Sequence, residues 1–311
     1  MPSGLGGTHH AATRIWRSTA VCNQPRRCVC LTARSSTTRL QATGHAKASQ
    51  TSEDLQTQDP PLAGLRLAVA AHEIPHPAKA SYGGEDAFFI SQERSTAFGV
   101  ADGVGGWVNS GINPAEYSKT LMREAKAHFE EATLATPPEG SNTLKASNLG
   151  DSGFAVFRKG ALLFQSKPLQ HFFDCPYQFA SCPDFTEDTD RAEDASEYEL
   201  QLTSGDVIVA ATDGLWDNLH TAELLPLLPD SESSVKQAAL QIANAASTNA
   251  YDDQYPSPYT VEAVRQGMDL PWWQKLLGAR FKDGKFQLAR LQGGKLDDIT
   301  VVVAYVAAPS A

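Results

Sequence analysis

Short apolar segments that carry an aspartate at one end constrain the fold of this chain more than any other feature. Three such segments predict buried strands whose tips present a carboxylate, two of them with a glycine directly after it. Glycine has no side chain, so the backbone beside these carboxylates can approach a ligand closely. A fourth acidic site, a Glu-Asp pair, stands directly before a further apolar segment. The acidic residues are Asp102, Asp213, Asp297 with Asp298, and Glu85 with Asp86.

Strands and helices are predicted without strict alternation along the chain. Apolar segments predict strands at 65–71, 86–91, 95–102, 154–157, 162–165, 198–202, 206–212 and 299–306. Apolar periodicity predicts helices at 115–132, 222–228 and 234–250. Turn-forming residues predict a loop at 133–145 and an acidic surface flap at 168–196. This order predicts an α+β fold in which one sheet packs on another, with helices at the flanks.

The first 60 residues differ in composition from the rest of the chain. They contain no acidic residue before Glu53, but six arginines among many serines, threonines and alanines. This composition is typical of an organelle transit peptide, and a disordered basic tail is the alternative. We therefore predict that residues 1–60 lie outside the core and that residues 61–311 form one catalytic domain.

The formal net charge of −10 disfavours some classes of function. A strongly acidic protein is not expected to attract nucleic acid or anionic lipid. No run approaches the roughly 18 consecutive apolar residues that a membrane span needs. We expect neither a nucleic-acid partner nor a membrane span.

Carboxylates that converge on one site repel one another and raise one another's pKa. A bound cation stabilises them together in their ionised form. An oxygen-only ligand set without paired histidines favours magnesium or manganese over zinc. Two such ions can hold a water molecule between them, lower its pKa and neutralise charge on a phosphoryl group. A single Asp-Gly is more often only a turn. Taken together, the four acidic sites predict a phosphate-ester hydrolase.

Four motifs in fixed order carry a resemblance to a known family. They are Asp102-Gly-Val-Gly-Gly-Trp107, Asn148-Leu-Gly-Asp151-Ser, Asp213-Gly-Leu-Trp-Asp217-Asn and Asp297-Asp-Ile-Thr300. Together they resemble the metal-dependent serine/threonine protein phosphatases of type 2C, over roughly residues 83–306. The resemblance implies a four-layer β-sandwich flanked by helices, with two metal ions at one end.

The same resemblance implies the roles of the catalytic residues. Asp102 is expected to bridge the two metal ions, and the Gly103 carbonyl to bind one of them. Asp213 and Asp297 are expected to complete the other ion.

Further metal-binding residues are implied in the same way. Glu85 and Asp86 are expected to act through coordinated water. Asp151 and Asp217 match positions of a third, weaker metal site. The implied cofactors are two Mg²⁺ or Mn²⁺ ions, with a third ion as a further prediction, and the implied partners are phosphoprotein substrates.

The sequence departs from the family pattern at two functional positions. Many members carry a histidine after the first Asp-Gly, as the acid for the leaving group, but Val104 stands here. His171 in the flap is a candidate acid, although a lone loop histidine is more often merely solvated. The family's phosphate-binding arginine is also missing, since Tyr82-Gly-Gly stands at its position. Lys79 is a candidate substitute.

A third departure concerns length. Family members carry a second helix and a core strand before the Asn-Leu-Gly-Asp motif, where this chain has only residues 133–146. We predict that one helix and one strand are missing after residue 132, which would leave a sheet edge open. Conversely, residues 261–291 are longer than the family needs. This stretch, with Trp272 and Trp273, predicts either a helix packed on the sandwich or an exposed docking surface for a partner.

The Asp-Gly-Val-Gly-Gly-Trp form and the long acidic flap resemble one branch of the family. This branch comprises organelle-targeted phosphatases similar to the mitochondrial matrix type-2C enzyme and its plant and algal relatives. Together with the N-terminal composition, the resemblance predicts a location in the chloroplast or the mitochondrion, with the plastid slightly favoured. We expect a monomer.

Two functions from different classes follow. The first is hydrolysis of phosphoserine and phosphothreonine in proteins by a water molecule that two metal ions activate. The alternative is a catalytically silent phosphatase-like binding module, a truncated splice form that keeps the fold. The missing strand favours the silent module, whereas the retained carboxylates favour the enzyme.

Overall fold

Two five-stranded antiparallel sheets form the centre of the structure. The structure is a computed structural model that describes residues 28–32, 65–91, 97–111, 113–135, 142–179, 190–277, 279–282, 285–287 and 289–308. Each sheet follows the alternation of apolar residues in its strands, since side chains of neighbouring residues point to opposite faces.

The first sheet has the strand order β10-β5-β1-β4-β3. Its strands are β1 (Cys28–Thr32), β3 (Ala87–Ile90), β4 (Ala97–Ala101), β5 (Thr143–Leu149) and β10 (Ser196–Gln201). The second sheet has the order β2-β14-β11-β6-β7. Its strands are β2 (Arg66–Ile74), β6 (Gly153–Arg158), β7 (Ala161–Gln165), β11 (Val207–Ala211) and β14 (Ile299–Ala307).

Helices and two short hairpins complete the described elements. The helices are α1 (Pro114–Ala135), α2 (Asp213–Trp216), α3 (Thr221–Leu224), α4 (Val235–Ala250), α5 (Pro258–Arg265) and α6 (Trp272–Leu277). The hairpins pair β8 (Gln170–Phe172) with β9 (Cys175–Pro176), and β12 (Arg280–Lys282) with β13 (Lys285–Gln287). The start of α1 at Pro114 agrees with the prediction, because proline suits the first turn of a helix.

The core lies in three layers of packed side chains. Phe98 of the first sheet and Phe154 of the second belong to one buried cluster between the two sheets. Ile242 of α4 packs in a cluster on the outer face of the second sheet. Met122 of α1 packs in a third cluster with residues of the first sheet. The order helix, sheet, sheet, helix is the predicted four-layer α+β sandwich.

The first sheet is completed by a strand from the N-terminal region. β1 pairs antiparallel with β4 on one side and with β5 on the other. This differs from the prediction that residues 1–60 contribute nothing to the core. It also fills the strand position predicted to be missing after residue 132. The physical reason is that β4 and β5 would otherwise leave two rows of backbone hydrogen-bonding groups unpaired.

The region around residues 133–145 also differs from the predicted loop. α1 continues to Ala135, and β5 begins at Thr143. Residues 144 and 146 are buried and their neighbours are half-buried, so this strand has the alternation of a sheet strand with one buried face.

The stretch 261–291 forms short elements. Trp272 in α6 is 74% exposed and Leu277 is 81% exposed, so this helix does not bury its apolar residues on the sandwich. None of the helices in the described ranges is long and apolar enough to cross a membrane.

Candidate metal centre

Carboxylates from both sheets meet at one edge of the sandwich. In the first sheet, Ala87 lies opposite Ala101, which brings the next residues, Asp86 and Asp102, to the same end of the sheet. The second sheet is tied to this end by Thr212, whose hydroxyl donates a hydrogen bond to Asp86 at 2.8 Å. The strand tips predicted from sequence therefore converge.

The second sheet delivers its carboxylates in the same way. Ala211 lies opposite Val301, and the Thr212 amide donates to the Thr300 carbonyl at 3.1 Å. This pairing brings Asp213, at the start of α2, next to the segment that contains Asp298.

Two glycines allow the backbones to approach closely at this edge. A Cβ atom on Gly103 would collide with the Glu85 carbonyl oxygen, and one on Gly214 would collide with the Asp298 carbonyl oxygen. Any other residue at either position would push apart segments that carry carboxylates. Gly103 and Gly214 are thus required for the packing of protein segments, whereas the sequence pattern indicated a close approach of the backbone to a ligand.

Lys79 occupies one half of the cluster. Its ammonium lies 2.7 Å from Glu85 Oε2, 2.8 Å from Asp298 Oδ2 and 3.9 Å from Asp297 Oδ1. Burial alone would lower the pKa of Lys79, but Asp297 and the hydrogen bonds with Asp298 and Glu85 raise it above its ordinary value. The ammonium is therefore charged at neutral pH.

Lys295 occupies the other half. Its ammonium lies 2.7 Å from Asp213 Oδ2, 2.7 Å from Asp217 Oδ2, 3.7 Å from Asp174 Oδ1 and 3.9 Å from Asp297 Oδ2. Asp297 thus lies between the two lysines. The predicted catalytic carboxylates Asp213 and Asp297 therefore both lie within 4 Å of one nitrogen atom.

Two side chains hold this arrangement in place. Asp298 accepts hydrogen bonds from the amides of His76 and Glu85, at 2.7 and 3.0 Å, in addition to the Lys79 ammonium. Asn218 accepts from the Lys295 amide at 2.7 Å and donates to the Lys295 carbonyl at 2.7 Å. Asp298 therefore positions Glu85, and Asn218 positions Lys295.

Asp86 is a buried carboxylate whose charge is poorly compensated. Burial raises its pKa well above the ordinary value, and Asp298 raises it further, while the hydrogen bond from Thr212 opposes the rise. Its Oδ1 atom is buried and has no hydrogen-bond partner within the described ranges. A buried carboxylate of this kind is a place where a cation would be stabilised.

The predicted third-site residues, Asp151 and Asp217, line the same cavity of about 360 Å³. Gln170 donates to Asp151 Oδ2 at 3.2 Å. Burial raises the pKa of Asp217 to about 7, with Lys295 opposing and Asp213 and Asp151 adding to the rise. This side chain is therefore partly protonated at neutral pH when no metal is bound.

His171 makes its contacts within the flap. Its Nε2 atom lies 3.0 Å from Asp190 Oδ2, and its ring stacks on Tyr177 with centroids 4.2 Å apart. Val104, at the family's histidine position, is buried. The role of His171 as an acid stays a prediction.

Sequence reasoning missed or undervalued three contributors to the cluster. Lys295 stands two residues before the Asp297-Asp-Ile-Thr300 motif, and that proximity was the only signal for it. Lys79 was noted only as a substitute for an arginine. Asp298 was grouped with Asp297, yet the structure gives it a positioning role.

The chemistry of the donor set agrees with hard divalent cations, since the converging groups are carboxylate and carbonyl oxygens. As they stand, the described residues contain no three His, Cys, Asp or Glu side chains close enough together to hold one metal ion. The two ammonium groups lie between the carboxylates instead. Protein cations thus neutralise the same negative charges that metal ions would.

The αββα sandwich, with carboxylates from both sheets at one edge, can be compared with solved structures of known proteins. A solved structure, described as the X-ray structure of the photosystem II phosphatase PBCP, superposes with a TM-score of 0.66 at 35% identity, covering 77% of this chain and 98% of that one. No family model matches the chain.

Curated relatives agree with the structural match. "Probable protein phosphatase 2C 26" of Arabidopsis thaliana is 37% identical over 78% of this chain and 84% of its own length. The "Protein phosphatase PTC7 homolog" of Homo sapiens is 33% identical over 72% of this chain and 80% of its own length. The chain belongs to the protein phosphatase 2C family and is a protein-serine/threonine phosphatase.

Proposed function

We propose that this phosphatase hydrolyses phosphoserine and phosphothreonine in proteins with two divalent cations, Mg²⁺ or Mn²⁺, at the edge shared by the two sheets. The observation that carries the proposal is the convergence of Asp213, Asp217 and Asp297 on the Lys295 ammonium. Three carboxylates around a single ammonium group leave an excess of negative charge. Divalent cations would compensate this charge.

The residues expected to hold the ions are those named from the resemblance. Asp102, the Gly103 carbonyl, Asp213 and Asp297 would hold the ions directly, whereas Glu85 and Asp86 would act through water. Bound there, two divalent cations supply the Lewis acidity that activates water and neutralises the phosphoryl group. The unpartnered Oδ1 atom of Asp86 and its raised pKa support this choice.

Lys79 has a second role in this proposal, as the group that binds phosphate. With divalent cations compensating the carboxylates, the Lys79 ammonium would be the protein group placed to contact a phosphate oxygen. Asp298 keeps the Lys79 ammonium near the site through its contact at 2.8 Å. This supports Lys79 as the substitute for the missing arginine.

The remaining finer statements are also part of the proposal. Asp151 and Asp217 would hold a third ion. His171 would donate the proton to the leaving group; in the structure its Nε2 atom lies 3.0 Å from Asp190. The protein acts as a monomer in the chloroplast or mitochondrion, the plastid being favoured by the likeness to a photosystem II phosphatase.

The test is hydrolysis of para-nitrophenyl phosphate by the full chain with manganese or with a chelator. We expect activity with manganese, loss with the chelator, and a fall of about a thousandfold in Asp102→Asn. Glu199 is an exposed carboxylate in β10, so Glu199→Gln is the matched control and should keep the wild-type rate. Full activity in the chelator would contradict the metal mechanism.

The silent binding module is the second candidate. Its support is that lysine ammonium groups already neutralise the carboxylates, and that no group of three potential metal ligands is formed in the described part of the chain. A wild-type protein that unfolds cooperatively but hydrolyses neither para-nitrophenyl phosphate nor a phosphopeptide would favour this candidate.

A further inference from the structure

A cavity beside the carboxylate cluster has walls suited to a cation. It measures about 360 Å³ and lies between the β8–β9 hairpin, α2 and α5. Four carboxylates line it, against one guanidinium, that of Arg265, which makes a solvent-exposed ion pair with Glu262 at 3.4 Å. The carboxylates are those of Asp151, Asp174, Asp217 and Glu262.

Three aromatic side chains complete the walls. They belong to Phe173, Trp216 and Tyr259. An aromatic face attracts a cation through its quadrupole, and more strongly where solvent is partly excluded. We call this cavity, with its four carboxylates and three aromatic rings, the cation pocket.

The protein's own Lys295 shows that this combination binds an ammonium group. Its Nζ atom lies 4.9 Å from the centroid of the Tyr259 ring and against the carboxylates of Asp174 and Asp217. The same ammonium also contacts Asp213 and Asp297 of the metal centre. Glu262, on α5, also lines the pocket and is not among the carboxylates that Lys295 contacts.

One further feature points to a ligand. Ser152 lines the pocket, and its buried hydroxyl has no hydrogen-bond partner among the residues that the structure describes.

The pocket is adjacent to the site where a phosphate would react. The Lys295 nitrogen contacts Asp213 of the metal centre and Asp217 of the pocket, each at 2.7 Å. An extended peptide advances roughly 3.3–3.6 Å per residue. A side chain within about three residues of the phosphorylated residue could therefore reach the pocket while the phosphate lies on the metal centre.

We propose that the cation pocket binds a lysine or arginine side chain of the substrate, within about three residues of the phosphoserine or phosphothreonine. This inference rests on the proposed function and names the class of substrate that the site selects. The guanidinium pairs with Glu262 and Asp174, stacks on the aromatic rings, and the Ser152 hydroxyl accepts a hydrogen bond from it.

The test compares phosphothreonine peptides that carry arginine or citrulline at each position from −3 to +3. Citrulline has nearly the shape of arginine but no charge. With manganese, we expect kcat/KM to be about tenfold higher for arginine than for citrulline at one or two positions. In Glu262→Gln this ratio should fall to about threefold, and in Asp174→Asn it should also fall, whereas Glu199→Gln should keep the wild-type ratio.

A ratio measured within each variant is independent of that variant's basal rate. Equal kcat/KM for arginine and citrulline at every position would overturn the proposal while leaving the phosphatase mechanism intact. If no peptide is hydrolysed, the proposed function fails instead, and fluorescence anisotropy of the same labelled peptides still decides the inference. Tighter binding of the arginine peptides would support it, and equal binding would overturn it.

Discussion

The two sheets of the sandwich contribute equally to the metal centre but are built differently. The second sheet is formed by strands between Arg66 and Ala307, and it supplies Asp213 and Asp297. The first sheet supplies Asp86 and Asp102, but its middle strand comes from Cys28–Thr32, far from its neighbours in sequence. The carboxylates of the first sheet therefore depend on Cys28–Thr32, a segment that its composition alone would assign to a transit peptide.

The largest expected effect follows from removing that strand. A chain that begins at residue 61 lacks β1, so β4 and β5 lose their shared partner. The loss should exceed the roughly 5–15 kcal/mol by which domains are stable. We expect no cooperative thermal transition by circular dichroism and no phosphatase activity.

The matched control is a chain that begins at residue 26 and keeps β1. It should unfold and hydrolyse substrate like the full chain. Cooperative unfolding of the shorter chain would show that β1 is dispensable. If the N-terminal region is a transit peptide, the comparison also predicts that cleavage falls before Cys28.

A smaller effect is expected at the contact between the sheets. The Thr212 hydroxyl donates to Asp86 at 2.8 Å and accepts from the Thr300 amide at 3.0 Å. In Thr212→Val both groups are left without this partner in a buried site, so unfolding free energy should fall by about 2 kcal/mol. Thermal unfolding or denaturant titration measures the loss.

Thr300 provides a close control in the paired strand. Its buried hydroxyl has no hydrogen-bond partner among the described residues. Thr300→Val should therefore leave stability unchanged or raise it slightly, since valine has the same shape without the polar atom. Equal losses in the two variants would mean that the link between the sheets contributes nothing specific.

The smallest effect concerns the pH dependence of the metal-free protein. Because burial raises the pKa of Asp217 to about 7, the folded state keeps a proton that the unfolded state has lost above its ordinary pKa near 4. Stability should fall as pH rises from about 4 to 7, since the folded state binds more protons over that range. The side chain is 23% exposed, so solvent screening limits the change to about 1 kcal/mol.

Unfolding temperatures in a chelator at pH 5 and pH 7.5 test this effect. Asp217→Asn should be less sensitive to the change in pH than the wild type, and Glu199→Gln should match the wild type. A wild type that gains stability over this range, relative to Asp217→Asn, would contradict the raised pKa. Addition of manganese should reduce the difference, because a nearby cation favours the ionised carboxylate.

Local patterns in the sequence were sufficient for most of the fold. The short apolar strands, Pro114 at the start of α1 and the aspartate tips all reflect interactions between neighbouring residues or one face of an element. The strand Thr143–Leu149 was missed because turn-forming proline, glycine and serine residues stand before it, and these favoured a loop. Cys28–Thr32 is a short apolar run, but the arginine-rich, acid-poor composition around it assigned the whole region to a leader.

The sequence by itself determined which residues carry the chemistry: aspartates at strand tips, glycines beside them, and four motifs in the order of one phosphatase family. Only the tertiary structure decided that Lys79 and Lys295 stand between those carboxylates, that Asp298 and Asn218 hold them there, and that a cation pocket opens beside them. The physical reason is range. Side-chain periodicity and turn chemistry act over a few residues, whereas ion pairs such as that between Lys79 and Asp298 join segments more than 200 residues apart.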